Sequence, residues 1–176
     1  MNKNYLTNII FYILLKVVYP DGTAVRLGNE LKPSQIQDKP TEVAWPCKEG
    51  AYYTVLMYNP DGPSRVAPVN REYRHWLVVN IPENDIEKGQ EVVGYSKGVP
   101  PKGSGLHRYV FLVFKQPKII KYNEPYESPE NHDNRPKTSA AKLAKEYGLG
   151  DPVCGNFLQT QYIEGDLPEA TTESHK

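Results

Sequence analysis

Cysteine is scarce in this chain. Cys47 and Cys154 are the two among 176 residues, too few for a disulfide framework and without the spacing of a metal-binding pair. Both read as free thiols. No Asn-x-Ser/Thr sequon occurs, which leans away from a secreted glycoprotein. Net charge is also missing, because 21 lysines and arginines balance 21 aspartates and glutamates. No long-range field therefore recruits nucleic acid or an anionic membrane surface, and any anion site must be local. No apolar run reaches the ~20 residues that a membrane span needs. Residues 5–15 come nearest: they follow Lys3 and imitate the apolar region of a signal peptide, but no small-residue cleavage site follows them. This stretch is read as an atypical apolar extension, 1–15, serving as a variant start, a weak targeting signal or a core-packing segment.

What the chain does have is proline (16), glycine (13) and tyrosine (13). With several β-rich runs and one convincing helical run, that composition predicts a mainly β domain with long ordered loops. Its length fits one domain. Strands are expected over 16–19, 23–27, 42–45, 52–58, 76–81, 90–95, 107–116 and 157–162, where β-branched and aromatic residues cluster between turn formers. The helix is expected over 138–148, with a hydroxyl N-cap, alanine-rich turns and a glycine stop. Residues 117–137 are polar and proline-interrupted and are read as irregular surface. The tail, 164–176, lacks apolar periodicity and is expected to be mobile.

The chain is organised around residues 59–80. Pro60, Gly62 and Pro63 force an irregular loop carrying Asp61, Ser64 and Arg65, and an apolar strand follows it. Three stretches, 59–65, 71–80 and 103–109, together with 148–157, resemble in order the signatures of the phosphatidylethanolamine-binding proteins, also called Raf kinase inhibitor proteins. The resemblance covers roughly 16–162, and the domain is drawn as 16–163. It implies a β-sandwich with a larger and a smaller antiparallel sheet and a helix near the C-terminus.

The resemblance further implies that Asp61, His75 and His107 converge on a small surface pocket for phosphate-like anions, phospholipid headgroups included. Imidazole N–H groups and the amides of a loop containing Gly103 and Gly105 would bind oxygens. Tyr73, Tyr109, Pro100 and Pro101 would supply walls and a hydroxyl. Anion affinity is expected to rise as pH falls from about 8 to 6, as the imidazoles gain charge. One departure stands out: relatives begin the first motif Asp-Pro-Asp, whereas this chain has Asn59-Pro60-Asp61. Asn59 is a possible ligand that keeps hydrogen-bonding capacity and loses a charge. Arg74 reads as a solvated strand arginine, and Arg65 and Arg108 as loop pins bonded to carbonyls or to Asp61 or Glu72.

The functional expectation is a soluble phospholipid-headgroup or anion-binding protein that modulates a protein partner such as a kinase. It needs no cofactor, takes no nucleic acid and has no transmembrane span. A serine protease inhibitor is the alternative. A hydrolase or a metal enzyme using the same pocket ranks third, since Ser64 lacks a Gly-x-Ser-x-Gly elbow and no local spacing fixes two metal ligands. The expected compartment is cytoplasmic, or secreted if the apolar N-terminus is a signal.

Overall fold

The computed structural model describes residues 13–167. A five-stranded antiparallel sheet forms the middle layer, in the order β5 (Gln90–Val93), β4 (Tyr73–Pro82), β3 (Tyr52–Asn59), β6 (His107–Lys115) and β7 (Cys154–Thr160). A second sheet pairs β1 (Lys16–Val18) with β2 (Glu42–Ala44), also antiparallel. The period-2 alternation of the central strands gives each face of the large sheet its own apolar surface. Val55, Met57, Trp76, Val78, Tyr109, Phe111 and Val113 meet Val17, Tyr19, Val43 and Trp45 of the small-sheet layer. Leu56, Leu77, Val79, Val110, Leu112 and Phe114 meet Ala140, Ala144 and Leu149 at α1 (Ala140–Glu146). The result is a β-sandwich with a helix on the outer face of its larger sheet.

The N-cap of α1 is Ser139, whose Oγ accepts from the Lys142 N–H at 3.3 Å. The carboxylate of Glu72 adds a second cap by accepting from the Ala140 N–H at 2.6 Å. Residues 23–27, expected as a strand, pair with β1 only through an isolated antiparallel bridge, Ala24 to Val18, with the Val25 N–H donating to the Val17 carbonyl at 2.9 Å. The rest is loop, held by a side chain: Asn156 Oδ1 accepts from the Leu27 N–H (2.9 Å), while Nδ2 donates to the carbonyls of Val25 (2.9 Å) and Leu15 (2.8 Å). Leu15 itself is fully buried in the core. The rest of the signal-like reading, through residue 12, lies outside the described residues.

Two further expectations change. Residues 117–137 are irregular, but they are not merely surface. Glu127 hydrogen bonds through its backbone to Val92 and Gly94 and so covers the exposed edge of β5. Arg135 is fully buried. Its guanidinium donates to the carbonyls of Asn131, Arg74, His75, Gly94 and Ser128 at 2.6–3.2 Å. The first turn of the tail is held too: Ser34 donates from its N–H and Oγ to Asp166, both at 2.8 Å, and Glu164 pairs with Lys102. The remainder of the tail, from 168, lies outside the described residues.

Candidate ligand-binding site

The site begins with an irregularity in β4. Met57 pairs with Trp76, but Tyr58 pairs with Arg74, so one extra residue, His75, is accommodated between them. A β-bulge of this kind re-aims side chains. It turns Arg74 onto the Tyr58 face, where the guanidinium is buried and donates to Tyr122 Oη (2.9 Å) and Glu124 (2.9 Å) and pairs with Glu127 (3.4 Å). Arg74 is thus a buried ion-pair partner and not the solvated strand residue expected. His75 stays on the opposite face between two tyrosines, with ring centroids 4.8 Å from Tyr73 and 4.9 Å from Tyr109.

A carbonyl oxygen can only accept, so the 2.8 Å contact between His75 Nδ1 and the Ser96 carbonyl places a hydrogen on Nδ1. Nε2 of the neutral ring is then an acceptor, and it makes no hydrogen bond among the described residues. Burial pushes the His75 pKa down to about 3, against the upward pull of the Ser96 bond and with help from the charge of Arg135 and the neighbouring imidazoles of His132 and His107. The imidazole therefore stays neutral across pH 6–8. The sequence expectation that it gains charge in that range does not hold for the free protein.

His107, the first residue of β6, is held in a row of directed bonds. The Asp61 N–H donates to Asn59 Oδ1 at 2.7 Å, which points Asn59 Nδ2 at His107 Nδ1, 3.1 Å away. On the other side of the ring, Nε2 lies 2.8 Å from Ser104 Oγ, and that hydroxyl donates to the Pro101 carbonyl at 2.7 Å. Each bond fixes the direction of the next. Burial lowers the His107 pKa, opposed by the charge of Asp61 and assisted by that of Arg65.

Asp61 itself points elsewhere. Its fully buried carboxylate accepts from Arg108 Nε (2.8 Å), Nη2 (2.6 Å) and N–H (3.0 Å), with Arg65 Nε 3.4 Å away. Arg65 and Arg108 are the loop pins that the sequence suggested. Burial pushes the Asp61 pKa up, but the bonds and charge of Arg108, joined by Arg65, outweigh it and leave the carboxyl below its ordinary value. With its oxygens committed to arginine, Asp61 does not complete a two-histidine, one-carboxylate metal set. Among the described residues there is no cluster of three metal-ligating side chains.

The imidazoles open onto a cleft of about 910 Å³, within the range of small-molecule sites. Of the residues singled out from sequence, Asn59, Tyr73, His75, Pro100, Pro101, His107 and Tyr109 line it, and Asp61, Gly103 and Gly105 do not. Both glycines have positive φ, 78° and 73°, and shape the loop bearing Ser104. Gly98 acts by close approach, since a Cβ there would meet the Tyr109 ring at 2.7 Å.

Sequence reasoning missed Tyr95, Ser96 and His132 at the cleft. His132 Nδ1 lies 2.7 Å from Tyr73 Oη. It comes from the segment read as surface, and no local motif marks it. Tyr95 and Ser96 follow the last strand residue of β5 and carry no signal beyond a strand pattern.

The family model for phosphatidylethanolamine-binding protein matches residues 21–158. The chain belongs to this family. The putative odorant-binding protein A5 of Drosophila melanogaster is 35% identical over 151 residues, covering 86% of this chain and 71% of that one. Among solved structures, a carboxypeptidase Y inhibitor in complex with its cognate proteinase superposes with a TM-score of 0.72 at 28% identity, covering 86% of this chain and 84% of that one. The phosphatidylethanolamine-binding protein of Plasmodium vivax gives a TM-score of 0.73 at 24% identity, covering 89% and 88%, and speaks for the fold alone.

In this member of the phosphatidylethanolamine-binding family the cleft is not a basic funnel. Its charged lining comprises Lys39 and Lys97 against Asp38, Glu91 and Glu130. With His75 neutral and burial lowering the His107 pKa, hydrogen-bond direction decides what fits more than net charge does. Val99 lines the cleft, and Val66 and Val69 stand exposed on the loop between the lining residues Pro63 and Asn70.

Proposed function

We propose that the cleft binds the phosphoryl headgroup of a small or lipidic ligand, and that the occupied protein acts on a protein partner such as a kinase through the surrounding surface. The observation that carries this reading is the juxtaposition of two imidazoles, His75 and His107, with Tyr73 and Tyr109 in one cleft. Imidazole nitrogens donate to and accept from an oxyacid, and the tyrosine rings and Pro100–Pro101 give apolar walls. Exposed Val99 in the lining, and exposed Val66 and Val69 on the loop between Pro63 and Asn70, suit an acyl chain or a partner's surface. The test is a 31P titration of phosphoethanolamine into the protein and into His75→Ala. Saturable binding that the substitution abolishes is expected; binding unaffected by it would refute the reading.

The protein is proposed to bind without turnover, and the polarity of one row of residues supports this. Ser104, His107 and Asn59 have the connectivity of a nucleophile, base and orienter, but the hydrogens run the wrong way. A general base needs a bare Nε2 facing the serine and an Nδ1–H held by an acceptor. Here the Asn59 amide donates to Nδ1, so the ring hydrogen sits on Nε2, and Ser104 gives its own hydrogen to Pro101. Ester and phosphoester substrates are expected to survive incubation unchanged.

Proteinase inhibition is the second reading, favoured by the 28% identical inhibitor whose structure was solved with its proteinase. Residual carboxypeptidase Y activity measured across a titration of this protein decides it.

A further inference from the structure

The headgroup reading leaves open which phosphoryl groups the cleft accepts, and Asn59 bears on that choice. Its amide orientation is not free, because Oδ1 is occupied by the Asp61 N–H at 2.7 Å. Nδ2 therefore faces His107 Nδ1, and two donors cannot face each other across 3.1 Å. His107 must keep Nδ1 bare and carry its hydrogen on Nε2. His75 has the reverse arrangement, with its hydrogen spent on the Ser96 carbonyl and Nε2 bare. One imidazole thus contributes a donor and the other an acceptor.

We propose that Asn59 fixes His107 as the Nε2–H tautomer, so that the cleft selects a phosphomonoester still carrying one proton over a phosphodiester. The P–OH donates to His75 Nε2. A second phosphoryl oxygen accepts from His107 Nε2–H, taking over or sharing the hydrogen now directed at Ser104 Oγ, whose loop is shaped by the positive-φ Gly103 and Gly105. A phosphodiester monoanion has no hydrogen to give, so it leaves His75 facing an oxygen lone pair to lone pair. The lining, with three carboxylates against two lysines, likewise disfavours a dianion. Nothing facing His107 reverses its preference: Asp61 is held by Arg108, Arg65 repels added charge, and the neighbouring His75 and Tyr109 are buried. The rise in affinity from pH 8 to 6 expected from sequence keeps its direction but changes its cause. The proton that matters resides on the ligand, whose second ionisation lies near pH ~6.

This inference rests on the headgroup reading, and the experiment separates the two. Long-range 1H–15N imidazole spectra of the full chain should show Nε2–H for His107 and Nδ1–H for His75, and Asn59→Asp should convert His107 to Nδ1–H. Phosphoethanolamine should bind at least about tenfold more tightly than glycerophosphoethanolamine near pH ~6. Its affinity should fall toward tenfold per unit well above that pH, as the monoanion disappears. Asn59→Asp should narrow the preference, but the wild-type spectra and affinity ratio decide the matter even if that variant does not fold. Vesicles of phosphatidylcholine doped with phosphatidic acid or with phosphatidylethanolamine distinguish a lipid source of the monoester from a soluble one; capture by the former alone is expected. A His107 Nδ1–H signal in the wild type, or equal binding of monoester and diester, would overturn the inference while leaving the headgroup reading intact. Failure of all these ligands to bind would end both.

Discussion

Asn59 ends β3 and Asp61 stands two residues on in the turn that follows, and their surroundings differ in kind. Asp61 is ionised, closed off and bound on both oxygens by Arg108. Asn59 is neutral and passes its hydrogen-bond direction to an imidazole that borders an open cleft. The two are joined by one bond, from the Asp61 N–H to Asn59 Oδ1. A buried charge in this fold is a structural commitment, because it must be matched on the spot. A neutral polar side chain can be left half-open to a ligand at lower cost. The residue that looks most like a ligand by its chemistry is therefore the one that holds the loop, and the milder one shapes the site.

Removing Arg108 should break that contrast most severely. Arg108→Ala removes both guanidinium bonds to the buried Asp61 carboxylate and leaves it the residue-108 N–H and the looser Arg65 and Arg71 contacts; breaking a buried pair costs up to about 3–5 kcal/mol, and urea denaturation would measure the loss. Acid should act on the same pair. The Asp61 pKa is depressed in the folded state, so its contribution is complete above the unfolded carboxylate value of ~3.9 and is lost as pH falls through the lower folded value. Arg135→Met is expected to cost at least about 3 kcal/mol, because five carbonyls lose a charged donor. Amide exchange should show the loss concentrated in 127–135, the segment carrying His132 to the cleft.

The neutral side of the comparison predicts a pH effect of opposite chemistry. His75 binds a proton near pH ~6.5 when unfolded and only near pH 3 when folded. Between those values the unfolded chain holds more protons, so stability rises with pH there and falls as the solution is acidified. The accumulated change is a few kcal/mol, since each pKa unit is worth about 1.4 kcal/mol. Denaturation midpoints for the wild type and His75→Gln at pH 4 and 7 should differ, with the variant's dependence the flatter.

Much of the large sheet was legible in sequence because strands such as β3 and β6 alternate faces and lie between glycine and proline turns. The helix was legible from its alanines and caps. What was not legible depends on partners distant in the chain. Residues 23–27 have a strand's composition, but beyond one bridge to β1 their backbone goes to Asn156. The side on which Arg74 falls depends on the bulge at His75, which no periodicity announces. Arg135 and His132 lie in a polar stretch that reads as surface, and only the folded chain shows that one is a buried post and the other a cleft residue. At the site, it was the family resemblance and not residue type that gathered the histidines and tyrosines, and neither could tell that Asp61 would turn to Arg108 or which nitrogen of each imidazole would carry the hydrogen.

The smallest expected effect concerns the rim, where the neutral side meets solvent. Tyr73 Oη and His132 Nδ1 are 2.7 Å apart, with the Tyr73 ring packed 4.8 Å from His75. Tyr73→Phe keeps the ring and therefore the wall against His75, while removing one hydroxyl that is partly exposed to water. A single neutral hydrogen bond nets about 0.5–1.5 kcal/mol, and here water can replace the lost partner on His132, so the lower end applies. Phosphoethanolamine affinity should fall by about two- to fivefold, with the denaturation midpoint almost unmoved. His132→Ala should give the same modest loss if the pair acts through this bond alone. A loss as large as that of His75→Ala would instead make Tyr73 Oη a direct ligand of the phosphoryl group, and would extend the neutral row from Asn59 across to the loop that Arg135 holds.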